Sequence, residues 1–124
     1  MIRMIIKGET PAKKNSKILT RTGKLIPGKK YQEWHKDAML QVMEQKKLLQ
    51  KLPVDREVII YMDFIHGDQR RRDSDNGTSS ILDLLVDAGV LADDKWQIVR
   101  QLHVTNEYEK NDPMCIIAIE PYCA

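Results

Sequence analysis

Residues 70–94 read RRRDSDNGTSSILDLLVDAGVLADD, and the fold is decided in this stretch. Ile81, Leu82, Leu85 and Ala88 recur at the three- and four-residue spacing that lines one side of a helix. An Asp or Asn ahead of them can cap the helix, and Gly89 ends it. The flanks are acidic. Six aspartates, at 73, 75, 83, 87, 93 and 94, fall between Asp73 and Asp94 with no Lys or Arg among them, directly after Arg70, Arg71 and Arg72. A basic cluster that passes into an acidic one within three residues suits a phosphate held beside a cation.

Immediately upstream, residues 56–65 (REVIIYMDFI) are apolar on both faces apart from Asp63, which predicts a central strand covered on each side. Further back, Tyr31, Trp34, Ala38, Val42 and Leu49 keep close to a 3.6-residue repeat until Pro53, predicting a helix of about five turns. Residues 2–7 alternate with Ile2, Met4 and Ile6 on one face, as a half-buried strand requires. Between these elements, residues 10–30 hold Pro11, Gly23, Pro27 and Gly28, and two short apolar pairs flank a Thr-Gly turn, so a basic hairpin or loop is expected. Downstream, Trp96–Glu107 and Met114–Ile119 read as strands, with Asn111-Asp112-Pro113 turning between them as a hairpin. The order strand, helix, strand, helix, strand, strand predicts an α/β (α+β) fold with two helices packed on one mixed sheet, and residues 1–124 as a single domain.

A chain of 124 residues with 42% hydrophobic and 31% charged residues has the material for a core. No apolar run approaches the roughly 18 residues that span a bilayer, and the first residues lack a signal peptide's length and cleavage site, so a cytoplasmic protein with no membrane association is expected. Cys115 and Cys123 lack paired spacing, which excludes a disulfide framework or a thiolate zinc site and leaves reduced thiols as the expectation. His35, His66 and His103 have no helical ligand spacing, so a metal here would take oxygen donors.

The net charge of +2 conceals an asymmetry. Residues 1–36 carry ten Lys or Arg against Glu9 and Glu33, a charge of +8, while the remaining 88 residues carry ten basic and sixteen acidic groups, a charge of −6. Lys13, Lys14, Lys17, Arg21 and Lys24 belong to the basic stretch and, with Arg70, Arg71, Arg72 and Lys95, are the candidate contacts to a polyanion. The competing reading of this stretch is a solvated basic loop.

Asp73 and Asp75 are two residues apart, so in an extended segment they emerge on one face, roughly 6.6 Å apart along the chain. Asp94 lies beyond the intervening helix at the head of the next strand, and the three carboxylates are expected to converge there. Oxygen ligands in this number favour Mg²⁺ or Mn²⁺, which can polarise a phosphodiester and generate hydroxide from bound water. Alternatively, Asp73 and Asp75 cap the helix. For Asp83 and Asp87 a solvated helix face is the preferred reading.

In its order and spacing, the set Arg70–Arg72, Asp73, Asp75, Asn76, Asp83, Leu84, Gly89, Asp93 and Asp94 resembles the motif of the RusA family of Holliday junction resolvases. The close match covers about a fifth of the chain, and looser similarity extends to Pro11 and Asn15 of the basic loop. The resemblance implies a homodimeric, structure-selective endodeoxyribonuclease that uses Mg²⁺, or Mn²⁺ in its place, to nick branched DNA in recombination and repair. It places the metal-binding and catalytic aspartates at Asp73, Asp75 and Asp94. The family commonly has a lysine where this chain has Ser79, which makes a branched-DNA-binding module with weakened catalysis the alternative and Lys95 a candidate substitute.

Overall fold

The computed structural model describes residues 1–12 and 17–123. Strands β1 (Ile2–Lys7), β4 (Val58–His66), β5 (Val99–Tyr108) and β6 (Met114–Pro121) form one mixed sheet in the order β1-β6-β4-β5. A separate two-stranded hairpin pairs β2 (Lys17–Leu19) with β3 (Leu25–Pro27), turning through Gly23 at φ +82°, a conformation that glycine adopts without strain. Helices α1 (Lys29–Lys46) and α2 (Thr78–Asp87) complete the fold. The expected two helices on a mixed sheet are therefore present.

Alternation along the strands decides which side chains form the core. Met4 and Ile6 of β1, Ile60, Met62 and Phe64 of β4, and Cys115, Ile117 and Ile119 of β6 all turn to one face, where they meet Ala38 and Val42 of α1 and Ile81, Leu84 and Leu85 of α2. The two helices are joined by His35, whose Nε2 lies 2.8 Å from Asp87 Oδ2, and by Lys46, whose ammonium donates to the Ala88 carbonyl at 2.8 Å. A cation at this point satisfies a carbonyl left over at the C-terminus of α2. Cys115 is buried and Cys123 exposed, both as free thiols, and burial holds the Cys115 thiol far above its ordinary range.

Three expectations from the sequence need correction. First, among the described residues β4 is covered on one face only. On the other, Ile5, Tyr61 and Ile116 are at least a third exposed, Tyr61 stacks on His103 with ring centroids 4.9 Å apart, and an Asp63 hydrogen bond raises the Glu107 carboxyl. Both helices lie on one side, so an apolar sequence on both faces of β4 was no proof of two covering layers. Second, β5 and β6 are not a hairpin, because β4 lies between them, paired parallel to β5 and antiparallel to β6. The connecting residues cross the end of β4, where Glu109 N–H donates to His66 O and Asn111 N–H to Gly67 O, each at 3.0 Å. Third, α1 ends at Lys46, so Leu49 belongs to the turn that follows and Pro53 stops no helix.

The start of α2 is fixed by a close approach. A Cβ built on Gly77 would lie 2.7 Å from Thr10 Cγ2 and 2.8 Å from Phe64 Cε1, and Ser80 Oγ donates to the Pro11 carbonyl at 2.6 Å. The chain entering the basic segment is thereby packed against the helix that follows the Asp73–Asp75 loop. Gly77→Ala should lower the stability by about 1–3 kcal/mol through overpacking. Urea unfolding checks this, and a midpoint equal to wild type would show that the segment yields at no cost.

Candidate nucleic-acid and metal site

The Asp73–Asp75 loop leaves the arginine triplet at the C-terminal end of β4 and enters α2. Its backbone is turned, with Asn76 N–H donating to Asp73 O at 3.0 Å and Thr78 N–H to Asp75 O at 3.1 Å. Gly77 is the N-cap residue of α2, and no side chain caps it, so the carboxylates of Asp73 and Asp75 are not used for capping. Both residues are exposed. The capping alternative is thereby set aside, and two carboxylates remain turned to solvent beside a basic surface.

Asp94 is elsewhere. Because β4 and β5 run parallel, with Val58 level with Val99, the connection carrying Asp73 and Asp75 lies at one end of the sheet and the connection carrying Asp94 toward the other. A helix of 10 residues, rising about 15 Å, separates them. Among the described residues, no group of three or more His, Cys, Asp and Glu is drawn together closely enough to hold a metal ion. The expected convergence therefore does not occur within one chain.

Asp94 instead lies among acids. Partial burial, a hydrogen bond with Asp93 and the charge of Asp83 raise its carboxyl above the ordinary range, in that order of size, and its N–H donates to Asp93 Oδ1 at 2.7 Å. Asp83 is half-buried, not a solvated residue, and its part in this cluster is a role that helical spacing alone did not reveal. Asp87, expected on the solvated face, is exposed but engaged with His35. Like charges gathered in this way disfavour the ionised form of each.

The basic residues divide by role. Arg72 is turned inward, its side chain 16% exposed, with Nη1 2.9 Å from Asp68 Oδ1 and Nη2 3.4 Å from Glu9 Oε1. It is therefore a clamp between β4's exit loop and the entry to the basic segment, and it also lines the hollow shared with Arg70 and Arg71. Arg70 is 78% exposed at 3.7 Å from Asp68, and Arg71 is exposed. Together with Lys30 and Asn76 they line a hollow of about 330 Å³ that Pro11 and Ala12 close from the other side. Arg21 and Lys24 are exposed in the β2–β3 turn, and Lys95 is exposed beside Asp94. Lys13 and Lys14, with Asn15, lie outside the described residues, as does the side chain of Lys17.

Sequence reasoning missed Glu9, His66, Asp68 and Asn106. Glu9 Oε2 is 2.7 Å from His66 Nδ1, Asn106 Oδ1 is 2.8 Å from His66 Nε2, and Gly67 N–H donates to Glu9 Oε1 at 3.2 Å. These residues are far apart in sequence, and only Asp68, two to four residues before the arginines, carried a local signal. Hydrogen bonds from Arg72 and then from the Arg70 N–H hold the Asp68 carboxyl below its ordinary value of 3.8. A lowered carboxyl contributes stability that is present above that value and is lost as pH falls through the folded one. The melting temperature of wild type should accordingly fall more steeply below about pH 4 than that of Asp68→Asn. Parallel acid limbs in calorimetry would show that the clamp stores no such stability.

Among the described residues, no helix is long and apolar enough to cross a membrane. The sequence model of the family described as Endodeoxyribonuclease RusA matches residues 8–120, and so takes in the basic segment, both helices and all of the four-stranded sheet except β1 and the last residue of β6. The chain is also 28% identical over 110 residues to the crossover junction endodeoxyribonuclease RusA of Aquifex aeolicus (strain VF5), a similarity covering 89% of this chain and 83% of that protein. On the extent of the family match, this chain belongs to the RusA family of endodeoxyribonucleases.

Proposed function

We propose that this chain is a dimeric, divalent-metal-dependent endonuclease that resolves Holliday junctions and other branched DNA. The observation that carries the reading is the pairing, within a RusA-family chain, of solvent-facing aspartates at Asp73 and Asp75 with a neighbouring exposed arginine surface. The name of the Aquifex relative supports the junction as substrate. A binding module with weakened catalysis is not favoured, because the family it would belong to is described as a nuclease.

Asp73, Asp75 and Asp94 are the residues that would hold Mg²⁺, with Mn²⁺ as a substitute. When bound, the cation supplies Lewis-acid polarisation of the phosphodiester and a water of lowered pKa. The chain's own residues do the rest. Arg70 and Arg71 at the hollow beside Asn76, and Arg21 and Lys24 in the hairpin turn, bind backbone phosphates. Lys95, next to Asp94, is the cation available where the family commonly has a lysine at the position of Ser79, an exposed hydroxyl. Because Asp73 and Asp75 lie at the opposite end of α2 from Asp94, a second copy of the chain is the natural source of the third carboxylate. Two such copies also present two sites to two equivalent strands.

Replacing Asp73, Asp75 or Asp94 singly with Asn should lower single-turnover cleavage of a synthetic four-way junction by at least a hundredfold, about 2.7 kcal/mol of transition-state stabilisation, and leave junction binding in EDTA nearly intact. Cleavage by all three variants at the wild-type rate would refute the assigned site.

In solution, light scattering should give twice the 14.4 kDa chain mass. A 14.4 kDa particle, with and without junction DNA, would refute the dimer.

A further inference from the structure

The residue between the two loop aspartates is held by a side chain from a distant strand. Asn106, on the edge strand β5, donates from Nδ2 to the carbonyl of Ser74 at 2.9 Å. A carbonyl only accepts, so this bond fixes the amide with Oδ1 turned away from Ser74. That oxygen lies 2.8 Å from His66 Nε2, within reach of a hydrogen on that nitrogen. His66 Nδ1 is in turn 2.7 Å from Glu9, and the His66 side chain is only 16% exposed. Four segments are thus linked in series: the entry to the basic stretch, the end of β4, β5 and the Asp73–Asp75 loop.

We propose that Asn106, oriented by His66, is a positioning residue for the endonuclease, because it fixes the Ser74 peptide and with it the directions in which Asp73 and Asp75 present their carboxylates. Ser74 is flanked by both aspartates, so rotation of its peptide moves the two carboxylates relative to each other. Two backbone bonds, from Asn76 N–H to Asp73 O and from Thr78 N–H to Asp75 O, shape the turn, and the Asn106 bond ties its middle peptide to the sheet. Both aspartates are exposed, and α2 has no capping side chain that would anchor the turn. A divalent cation bound by two oxygens of one loop is sensitive to their separation, since a rigid pair pays no ordering entropy on binding. His66 acts one step removed. With Nε2 as donor it keeps the Asn106 amide from flipping, since the flipped amide would set an N–H against the His66 N–H and an oxygen against the Ser74 carbonyl. The inference rests on the reading of Asp73 and Asp75 as metal ligands.

The test compares the full-length Asn106→Ala and Asn106→Thr variants with wild type and Asp73→Asn. Threonine keeps a strand-favouring residue at this position of β5, and its hydroxyl is too short to reach Ser74. Titration with Mn²⁺ alone, followed by calorimetry, should show binding weakened at least fivefold in both Asn106 variants. Single-turnover cleavage of a four-way junction at saturating enzyme should fall at least tenfold, with the Mg²⁺ concentration for half-maximal rate raised, while junction affinity in EDTA changes less than twofold. His66→Gln, whose amide nitrogen can take the place of Nε2 as donor, should stay within threefold of wild type, and His66→Leu should fall with the Asn106 variants. Wild-type Mn²⁺ affinity and cleavage in a folded Asn106 variant, with Asp73→Asn inactive, would overturn the positioning role alone. Wild-type behaviour of Asp73→Asn itself would overturn the metal-ligand reading and the inference with it.

Discussion

The parallel pairing of β4 with β5 is the constraint on which the rest of the molecule depends. Two parallel neighbours cannot be joined by a tight turn, so the chain must cross from one end of the sheet to the other, and here α2 makes that crossing. Its buried side chains, Ile81, Leu84 and Leu85, cover β4, and this places both connections of the crossover at opposite ends of the sheet. Those connections carry the carboxylates. A single chain therefore separates Asp94 from Asp73 and Asp75 for the same reason that it folds.

The same constraint explains the uneven coating of the sheet. With α1 and α2 packed side by side through His35–Asp87 and Lys46–Ala88, one face is sealed and the other is left with Ile5, Tyr61 and Ile116 partly exposed. Antiparallel and mixed sheets tolerate an open face. Here polar groups share it with the apolar ones, Tyr61 bonding Glu120 and Thr105 bonding Asp63.

Electrostatics at the two ends of α2 are managed differently. At Asp73–Asp75 the surrounding charges are positive, and the inward-turned Arg72 is neutralised by Glu9 and Asp68, which leaves Arg70 and Arg71 for a polyanion. At Asp94 the neighbours are Asp83 and Asp93, and repulsion and partial burial raise its carboxyl. One end is organised by hydrogen bonds inside the protein, and the other by carboxylates that stand close to one another.

Much of this was legible in the chain itself. The spacing of Ile81, Leu82, Leu85 and Ala88 gave α2, the alternation of Ile2, Met4 and Ile6 gave β1, and the order of arginines and aspartates marked both the basic surface and the acidic loops, because periodicity and local charge are properties of neighbouring residues. Partnerships across the sheet were not legible. Whether β5 paired with β6 or with β4, whether β4 was covered once or twice, and that Arg72 meets Glu9 depended on contacts between residues tens of positions apart. The links Glu9–His66–Asn106–Ser74 are of that kind: each residue is unremarkable in sequence, and only the tertiary structure brings hydrogen-bonding groups from four segments within reach of one another.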